Sequence, residues 1–196
     1  MPSLPSLLSF FKYWTFTALL VFTGASWTAE DTPETPKTVD EITLFGLSLV
    51  DLKAKDIRKH LRQLGGFHEA RATYAQRNID KFFPWSRMKD SYYVEFRYDG
   101  TGRLTSVYRL YRPESIAFEN RLSRITTREV AQTIVSQIGQ PTQVVRKGWG
   151  GSPDYTAYIW KSDQMTVEVD RQGSELYGNV FVRYTVNRDP YLVAEK

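Results

Sequence analysis

The sequence predicts an α+β fold built from two tandem repeats, each a helix followed by an antiparallel sheet. Two stretches, Asp51–Ala72 and Thr126–Val145, have the apolar spacing of an amphipathic helix that ends at glycine. Each is followed by segments in which apolar and polar residues alternate, as they do in strands with one buried face. We therefore predict one repeat at residues 41–118 and a second at residues 119–196.

The composition is that of a folded protein without cysteine chemistry. The chain has 196 residues, of which 41% are hydrophobic and 24% charged, so wholesale disorder is not expected. There is no cysteine. This excludes disulfides, thiolate metal sites, a cysteine nucleophile and an acylated cysteine. The net charge of +4 is concentrated after residue 40, which favours either an acidic partner or membrane surface, or simply solubility.

The N-terminus has the pattern of an export signal followed by a linker. An apolar run, Tyr13–Phe22, follows Lys12 and precedes small residues that end at Ala25. We predict a signal peptide at residues 1–25 and a disordered linker at residues 26–40, where two prolines and acidic residues prevent regular structure. The alternative is an uncleaved N-terminus in contact with the membrane. Both interpretations predict a periplasmic or secreted protein.

The first helix is predicted to be capped by Asp51 and to stop at Gly65-Gly66. Its apolar face is formed by Ile57, Leu61 and Leu64. The opposite face is basic, which indicates either a solvated surface or a site for an acidic partner. Its residues are Lys55, Arg58, Lys59 and Arg62.

Aromatic residues are concentrated between the first helix and the central hairpin. A strand is predicted at Phe67–Ala75, and Phe82–Trp85 is predicted to form a loop because Pro84 disfavours pairing in a central strand. This loop either closes the end of the core or exposes an aromatic patch that binds a partner.

The clearest hairpin in the chain is Tyr92–Arg112. Apolar and polar residues alternate on both arms, and Asp99–Gly102 supplies the turn. Leu104, Ser106, Tyr108 and Leu110 are expected on one side of the return strand, with Val107, Arg109 and Tyr111 on the other. Arginine beside tyrosine also suits stacking on nucleic-acid bases, but the export signal argues against nucleic acid.

The second helix is predicted to begin with a capping box, in which Thr126 and Glu129 bond each other's backbone amides. Gly139 and Pro141 end it. A glycine-rich loop carries Trp149, which either folds over the sheet or contacts a partner. The predicted strands are Thr142–Lys147, Tyr155–Lys161, Met165–Asp170 and Val180–Val186.

The second half resembles a family of small periplasmic proteins. The motifs that carry this resemblance are T-x-x-E-V from Thr126, I-G-Q-P-T from Ile138, and the predicted strands Tyr155–Trp160, Met165–Val169 and Val180–Tyr184. Together they resemble the SmpA/OmlA (BamE) group, in which helices lead through a Gly-x-Pro turn into a three-stranded antiparallel sheet. Two tandem copies resemble the β-lactamase inhibitory protein architecture. This resemblance implies a non-enzymatic module of the cell envelope that binds proteins.

No residue pattern identifies a reaction. The chain lacks a Gly-x-Ser-x-Gly elbow, a phosphate-binding loop and a His-Glu-x-x-His motif. His60 and His68 are not spaced as metal ligands on one helix face, so no metal or other cofactor is predicted. Glu168 and Asp170 have the positions of a hydrolase dyad, but alternating charges on a solvated strand explain them more simply. We predict that the protein is not an enzyme.

The predicted function is protein binding in the bacterial cell envelope, as an assembly factor, accessory subunit or inhibitor. The alternative is a periplasmic carrier of a lipid or small apolar ligand, held between aromatic sheet faces. The expected partner-binding residues are Phe82, Phe83, Trp85, Tyr93, Arg97, Arg109, Tyr111 and Trp149.

Overall fold

The computed structural model describes residues 38–70, 78–115, 123–148, 155–174 and 178–188. All of them belong to one compact unit, Thr35–Lys196. The predicted signal peptide, most of the predicted linker and Trp149 lie outside the described residues. Within the described residues, no helix has both the length and the apolar character required to span a bilayer.

The described residues form two α-helices, twelve strands and short 3₁₀ segments at Val39–Glu41 and Gln172–Ser174. The helices are α1 (Ala54–Leu64) and α2 (Thr127–Ile138). The strands are β1 (Thr43–Leu44), β2 (Leu47–Ser48), β3 (Phe67–Glu69), β4 (Ile79–Pro84), β5 (Ser91–Tyr98), β6 (Leu104–Tyr111), β7 (Glu114–Ser115), β8 (Ser123–Arg124), β9 (Gln143–Lys147), β10 (Tyr155–Lys161), β11 (Met165–Arg171) and β12 (Val180–Val186).

Eight of the strands form one antiparallel sheet in the order β3-β4-β5-β6-β12-β11-β10-β9. From the centre of the sheet to one edge the strands are β6, β5, β4 and β3. From the centre to the other edge they are β12, β11, β10 and β9. The final strands of the two halves, β6 and β12, therefore pair at the centre, with Tyr108 opposite Arg183. Two two-stranded ribbons, β1-β2 and β7-β8, lie outside this sheet. The α+β class is as predicted.

Both helices pack against the same face of the large sheet. Ile57 and Leu61 of α1 and Val130 and Ile134 of α2 share one buried cluster with inward-pointing strand residues. Those strand residues include Phe82, Val94, Phe96, Val107, Val167, Val169, Val182 and Tyr184. The other face of the sheet, which we call the outer face, carries the alternate residues of the same strands.

The two helix termini have matching geometry. Gly65 and Gly139 both follow the last helical turn with positive φ, 66° and 80°, and both donate a backbone hydrogen bond to the carbonyl four residues earlier. Glycine adopts this backbone conformation without the strain that a Cβ would cause. The indole Nε1 of Trp160 donates to the Gly139 carbonyl over 2.8 Å, which ties the end of α2 to β10.

One predicted helix cap is confirmed and the other is wrong. Thr126 and Glu129 form the expected capping box, with the Glu129 amide 3.2 Å from the Thr126 hydroxyl. Asp51 does not cap α1, because it lies in a turn with a φ of 64° and the N-cap residue is Lys53, whose backbone is extended. Lys53 forms a bridge with Arg103, so pairing with the hairpin turn delays the start of the helix.

Phe82, Phe83 and Pro84 belong to strand β4, so their prediction as a loop was wrong. Pro84 is tolerated because it is the last residue of the strand, and the next amide, that of Trp85, donates to the Gly66 carbonyl over 3.0 Å. Strand geometry separates the two phenylalanines. Phe82 is 3% exposed in the core, whereas Phe83 is 41% exposed on the outer face.

The central hairpin is confirmed as β5 and β6, but it contains two register shifts. One places Tyr92 in a bulge, and the other lies between Arg97 and Tyr98. Because of the second shift, Leu104 pairs with Tyr98 in the core while Ser106 pairs with Arg97 on the outer face. The expectation that Leu104 and Ser106 share one side of the strand was therefore wrong.

Candidate partner-binding face

A row of four aromatic rings crosses four neighbouring strands on the outer face. We call Phe83 (β4), Tyr93 (β5), Tyr108 (β6) and Phe181 (β12) the aromatic row. Their successive ring centroids are 6.0, 6.2 and 4.9 Å apart. These distances allow each ring to contact the next. The row begins at an exposed residue, passes through two half-buried tyrosines and ends at a buried phenylalanine.

Charged side chains flank the aromatic row on β4 and β5. The carboxylate of Glu95 accepts a hydrogen bond from Arg97 Nε over 2.8 Å, and Lys81 Nζ lies 3.3 Å from its other oxygen. The same Lys81 ammonium lies 4.0 Å from the centroid of the Tyr93 ring, a cation–π distance. The negative charge of the Glu95 carboxylate is thus neutralised by Lys81 on one side and Arg97 on the other.

A third cation, Arg183, lies over the β12 end of the row. Its guanidinium carbon is 5.7 Å from the centroid of Tyr108 and 5.1 Å from that of Phe181. One guanidinium nitrogen lies 3.4 Å from the Glu168 carboxylate. Cations are therefore stacked on, or beside, the rings of the row instead of being separated from them.

The cations of this face are more exposed than its carboxylates. The side chains of Arg97 and Arg183 are 60% and 48% exposed, whereas those of their partners Glu95 and Glu168 are 11% and 25% exposed. An approaching molecule meets the guanidinium groups first. The electrostatic character of the surface is therefore positive, although the residue types are mixed.

A depression of about 340 Å³ lies on the outer face between these groups. Its lining is predominantly polar and consists of Tyr93, Glu95, Arg97, Ser106, Tyr108, Gln172 and Arg183. Burial raises the pKa of Tyr108 to about 12, although the cation of Arg183 opposes this shift. The Tyr108 hydroxyl consequently remains protonated, and able to donate a hydrogen bond, at neutral pH.

The exposed end of the aromatic row continues into Trp85. Its ring is 59% exposed and stacks on the imidazole of His68, with centroids 5.6 Å apart. The Trp85 amide is fixed by the Gly66 carbonyl. Gly66 has a φ of +83°, and an added Cβ would lie 2.6 Å from the Ser86 hydroxyl and 2.9 Å from Arg87 Cγ, so this close turn favours glycine. An exposed indole is thus held by local backbone packing.

The predicted partner-binding residues divide between the two faces. Phe83, Trp85, Tyr93 and Arg97 lie together on the outer face or at its exposed end. Three others lie on the side that packs against the helices, and Trp149 lies outside the described residues. These three are Phe82, Arg109 and Tyr111.

Arg109 and Tyr111 support each other at one end of the core. The Arg109 guanidinium lies 4.2 Å from the Tyr111 ring centroid and 3.0 Å from the Asp90 carboxylate. Tyr111 is 3% exposed, and burial raises its pKa. These contacts are sufficient to explain both side chains as part of the packing of the sheet.

The candidate catalytic groups are engaged in contacts that explain them structurally. Asp170 accepts a hydrogen bond from Lys147, and Glu168 contacts Arg183. His60 Nε2 lies 2.8 Å from the carbonyl oxygen of Phe45. Within the described residues, no group of three His, Asp or Glu side chains is arranged to hold a metal ion.

Two cations of the basic face of α1 bind carboxylates within the chain. Arg58 forms a bidentate pair with the fully buried Asp80, at 2.7 and 2.8 Å, and the Tyr98 hydroxyl donates to the same carboxylate over 2.8 Å. Arg62 contacts Glu69 at 3.3 Å. This side of α1 therefore holds the helix against β4 and β3 and is a weaker candidate for a partner site.

Sequence reasoning did not select Tyr108, Phe181 or Arg183 as partner-binding residues. Their alternation with Val107, Val182 and Tyr184 placed them on the second face of β6 and β12, but the pairing of these two strands was not predicted.

No family model matches the chain, and neither curated proteins nor solved structures give a significant match.

Proposed function

We propose that this protein is an exported, non-enzymatic module of the bacterial cell envelope that binds another protein through the outer face of its sheet. The observation that carries the proposal is the aromatic row with exposed Arg183 over two of its rings and exposed Arg97 beside it. Tyrosine, tryptophan and arginine are the residue types most enriched where protein–protein contacts contribute most to affinity. Their concentration on one face of a rigid sheet suits an assembly factor, an accessory subunit or an inhibitor.

The contacts of the acidic groups favour binding over catalysis. A general acid or base has to be free to exchange a proton with a substrate. Glu95, Glu168 and Asp170 instead contact Arg97, Arg183 and Lys147 respectively. Glu95 and Glu168 in this way orient the two exposed arginines of the outer face, which suits recognition.

The lining of the depression favours a protein partner over a lipid. A carrier of apolar ligands needs an enclosed apolar cavity that removes most of the ligand from water. Here two arginines, a glutamate and a glutamine border the space, so an acyl chain would leave charged groups without water. Bound lipid recovered with the purified protein would nevertheless favour the carrier alternative.

We also propose that the fold consists of two tandem repeats, residues 41–118 and 119–196, in the arrangement that the resemblance to SmpA/OmlA (BamE) proteins and β-lactamase inhibitory protein implies. Support comes from the helix-then-four-strands order of each half and from the matching termini at Gly65 and Gly139. In this arrangement the aromatic row extends across both repeats, since Tyr108 belongs to the first and Phe181 to the second.

Export to the periplasm or the medium rests on the N-terminal sequence pattern, with the uncleaved, membrane-contacting N-terminus as its alternative. The proposal needs no cofactor. It is tested by affinity capture from the native envelope with the wild-type protein and a Phe83→Ala/Trp85→Ala variant. Loss of a specific protein from the variant alone supports the proposal, whereas capture that is the same for both proteins contradicts it.

A further inference from the structure

We infer that the outer face recognises an acidic, extended segment of its partner, in which two carboxylates flank one apolar residue. The inference rests on the proposed protein-binding function and specifies the chemistry of the partner. It follows from the positions of Arg97 and Arg183 on either side of Tyr108, not from the net charge of the chain.

The two arginines are available for an additional anion. Arg97 bonds Glu95 through Nε, and Arg183 contacts Glu168 through one Nη at 3.4 Å. A guanidinium carries five N–H donors in a planar fork, so each side chain retains donors for a second carboxylate. The intrachain carboxylates restrict the rotamers of both arginines, which lowers the entropy cost of binding.

The aromatic rings strengthen the argument for a carboxylate. Arg183 lies over two rings, and Lys81 lies over a third, Tyr93. Stacking on an aromatic surface holds a guanidinium in place while leaving its N–H edge free to bind an anion. Tyr108 lines the same depression as the two arginines, and its hydroxyl supplies a neutral donor there.

Strand register defines the spacing between the Cα atoms of the two arginines. Arg97 is opposite Ser106 on β6, Arg183 is opposite Tyr108 on the other side of β6, and the two rows differ by two residues. Two inter-strand spacings across the sheet and two residues along the strand direction together separate these Cα atoms by about 12 Å. In an extended peptide, residues four apart are separated by about 13 Å and point to the same side.

This geometry identifies the sequence pattern of the ligand. Carboxylates at the first and fifth positions of an extended segment match the two arginines, and the third residue points to the same side, toward the depression over Tyr108. An apolar or aromatic third residue would contact the rings of Tyr93 and Tyr108. The matching segment therefore has the pattern acidic-x-apolar-x-acidic. Negative charge without this spacing and without the apolar residue would not match the site.

The test is a nuclear magnetic resonance titration of the purified protein with the capped peptide Glu-Ser-Phe-Ser-Glu. Two control peptides replace both glutamates by glutamine or by lysine. We expect the glutamate peptide to shift the Nε–H signals of Arg97 and Arg183 and to bind at least roughly tenfold more tightly than either control. Raising the salt from about 50 to about 500 mM should weaken its binding, because screening acts on exposed charges.

The protein variants are Arg97→Glu/Arg183→Glu and, as a matched control, Arg128→Glu on an exposed position of α2. The double variant should lose the glutamate peptide and gain the lysine peptide, while the control variant should bind as the wild type does. If charge reversal prevents folding, Arg97→Gln/Arg183→Gln is used in its place. Equal binding of the glutamate and lysine peptides by the wild type, or unchanged binding by the double variant, would overturn the inference.

Envelope capture distinguishes this inference from the function on which it rests. A partner retained by Arg97→Gln/Arg183→Gln but lost by Phe83→Ala/Trp85→Ala overturns acidic recognition and leaves protein binding standing. A partner whose capture is insensitive to both variants overturns both.

Discussion

The ring of Tyr108 lies 4.9 Å from the ring of Phe181, across the pairing of β6 with β12. This contact joins residues 73 positions apart in the sequence, and it connects the two halves of the large sheet on the face opposite the helices. The central strands therefore do more than complete the core. They extend one aromatic surface across both halves, and Arg183 lies over the junction.

Substitution of the two adjacent phenylalanines on β4 should affect stability at one position and partner binding at the other. We expect Phe82→Ala to destabilise the protein by about 3–5 kcal/mol, because a large side chain is lost from the core. Phe83→Ala should change stability by less than about 1 kcal/mol and reduce partner capture. Urea unfolding measures the first effect and affinity capture the second. Equal destabilisation by the two substitutions would contradict the assignment of the two faces.

Arg58 should be more important to stability than Arg62, one turn further along α1. Removing Arg58 leaves the fully buried Asp80 without its cation, and we expect Arg58→Ala to cost about 2–3 kcal/mol. The Arg62 side chain is 60% exposed, so Arg62→Ala should cost less than about 1 kcal/mol. Chemical denaturation of both variants checks the difference, and similar midpoints would show that the Arg58–Asp80 pair contributes little.

Gly66 should be essential for the position of Trp85. Alanine at this residue combines a backbone φ of +83° with a Cβ contact of 2.6 Å, so we expect a loss of about 2 kcal/mol and a shifted Trp85 fluorescence. Gly100→Ala is the control, because a Cβ there meets nothing within 4 Å. Thermal unfolding measures the loss of stability, and tryptophan emission measures the change in fluorescence. Unchanged emission in Gly66→Ala would contradict the proposed role of this turn.

Stability should fall when the pH is raised above about 10. Burial raises the pKa of Tyr98, with a further contribution from the neighbouring Asp80, and burial likewise raises the pKa values of Tyr108, Tyr111 and Tyr184. A group whose folded pKa exceeds its unfolded value stabilises the fold below the unfolded value, near 10. It loses that contribution as the pH rises through the folded value, about 12 for Tyr108.

Absorbance titration of tyrosine ionisation, together with the melting temperature at several alkaline pH values, checks this expectation. The buried tyrosines should ionise only at higher pH or on unfolding. Ionisation of all tyrosines near pH 10 in a protein that remains folded would contradict their burial.

Much of the fold was accessible from local sequence patterns. The alternation in Tyr155–Lys161 and Val180–Val186 gave the exact bounds of β10 and β12, since one face of each strand is buried. The Thr126–Glu129 spacing likewise identified the start of α2. These features depend on residues close in sequence, so a linear pattern records them.

The remaining features depend on tertiary contacts that a linear pattern does not contain. Asp51 was expected to cap α1, but pairing of Lys53 with the hairpin turn moved the helix start. Pro84 suggested a loop, although its place at the end of β4 allows a strand. The candidate site was only partly predictable for the same reason. Phe83, Trp85, Tyr93 and Arg97 were identified from type and local pattern, whereas Phe181 and Arg183 required knowledge that β12 pairs with β6.

Site-specific photocrosslinking in the native envelope tests the central claim most directly. A benzophenone side chain replaces Phe83 on the outer face or, as a control, Gln132, an exposed residue of α2 on the opposite side of the sheet. We expect the Phe83 position to crosslink one defined protein, the Gln132 position to give no such product, and the Arg97→Gln/Arg183→Gln background to weaken the crosslink. No protein crosslink from Phe83, or the same product from both positions, would contradict binding through the outer face.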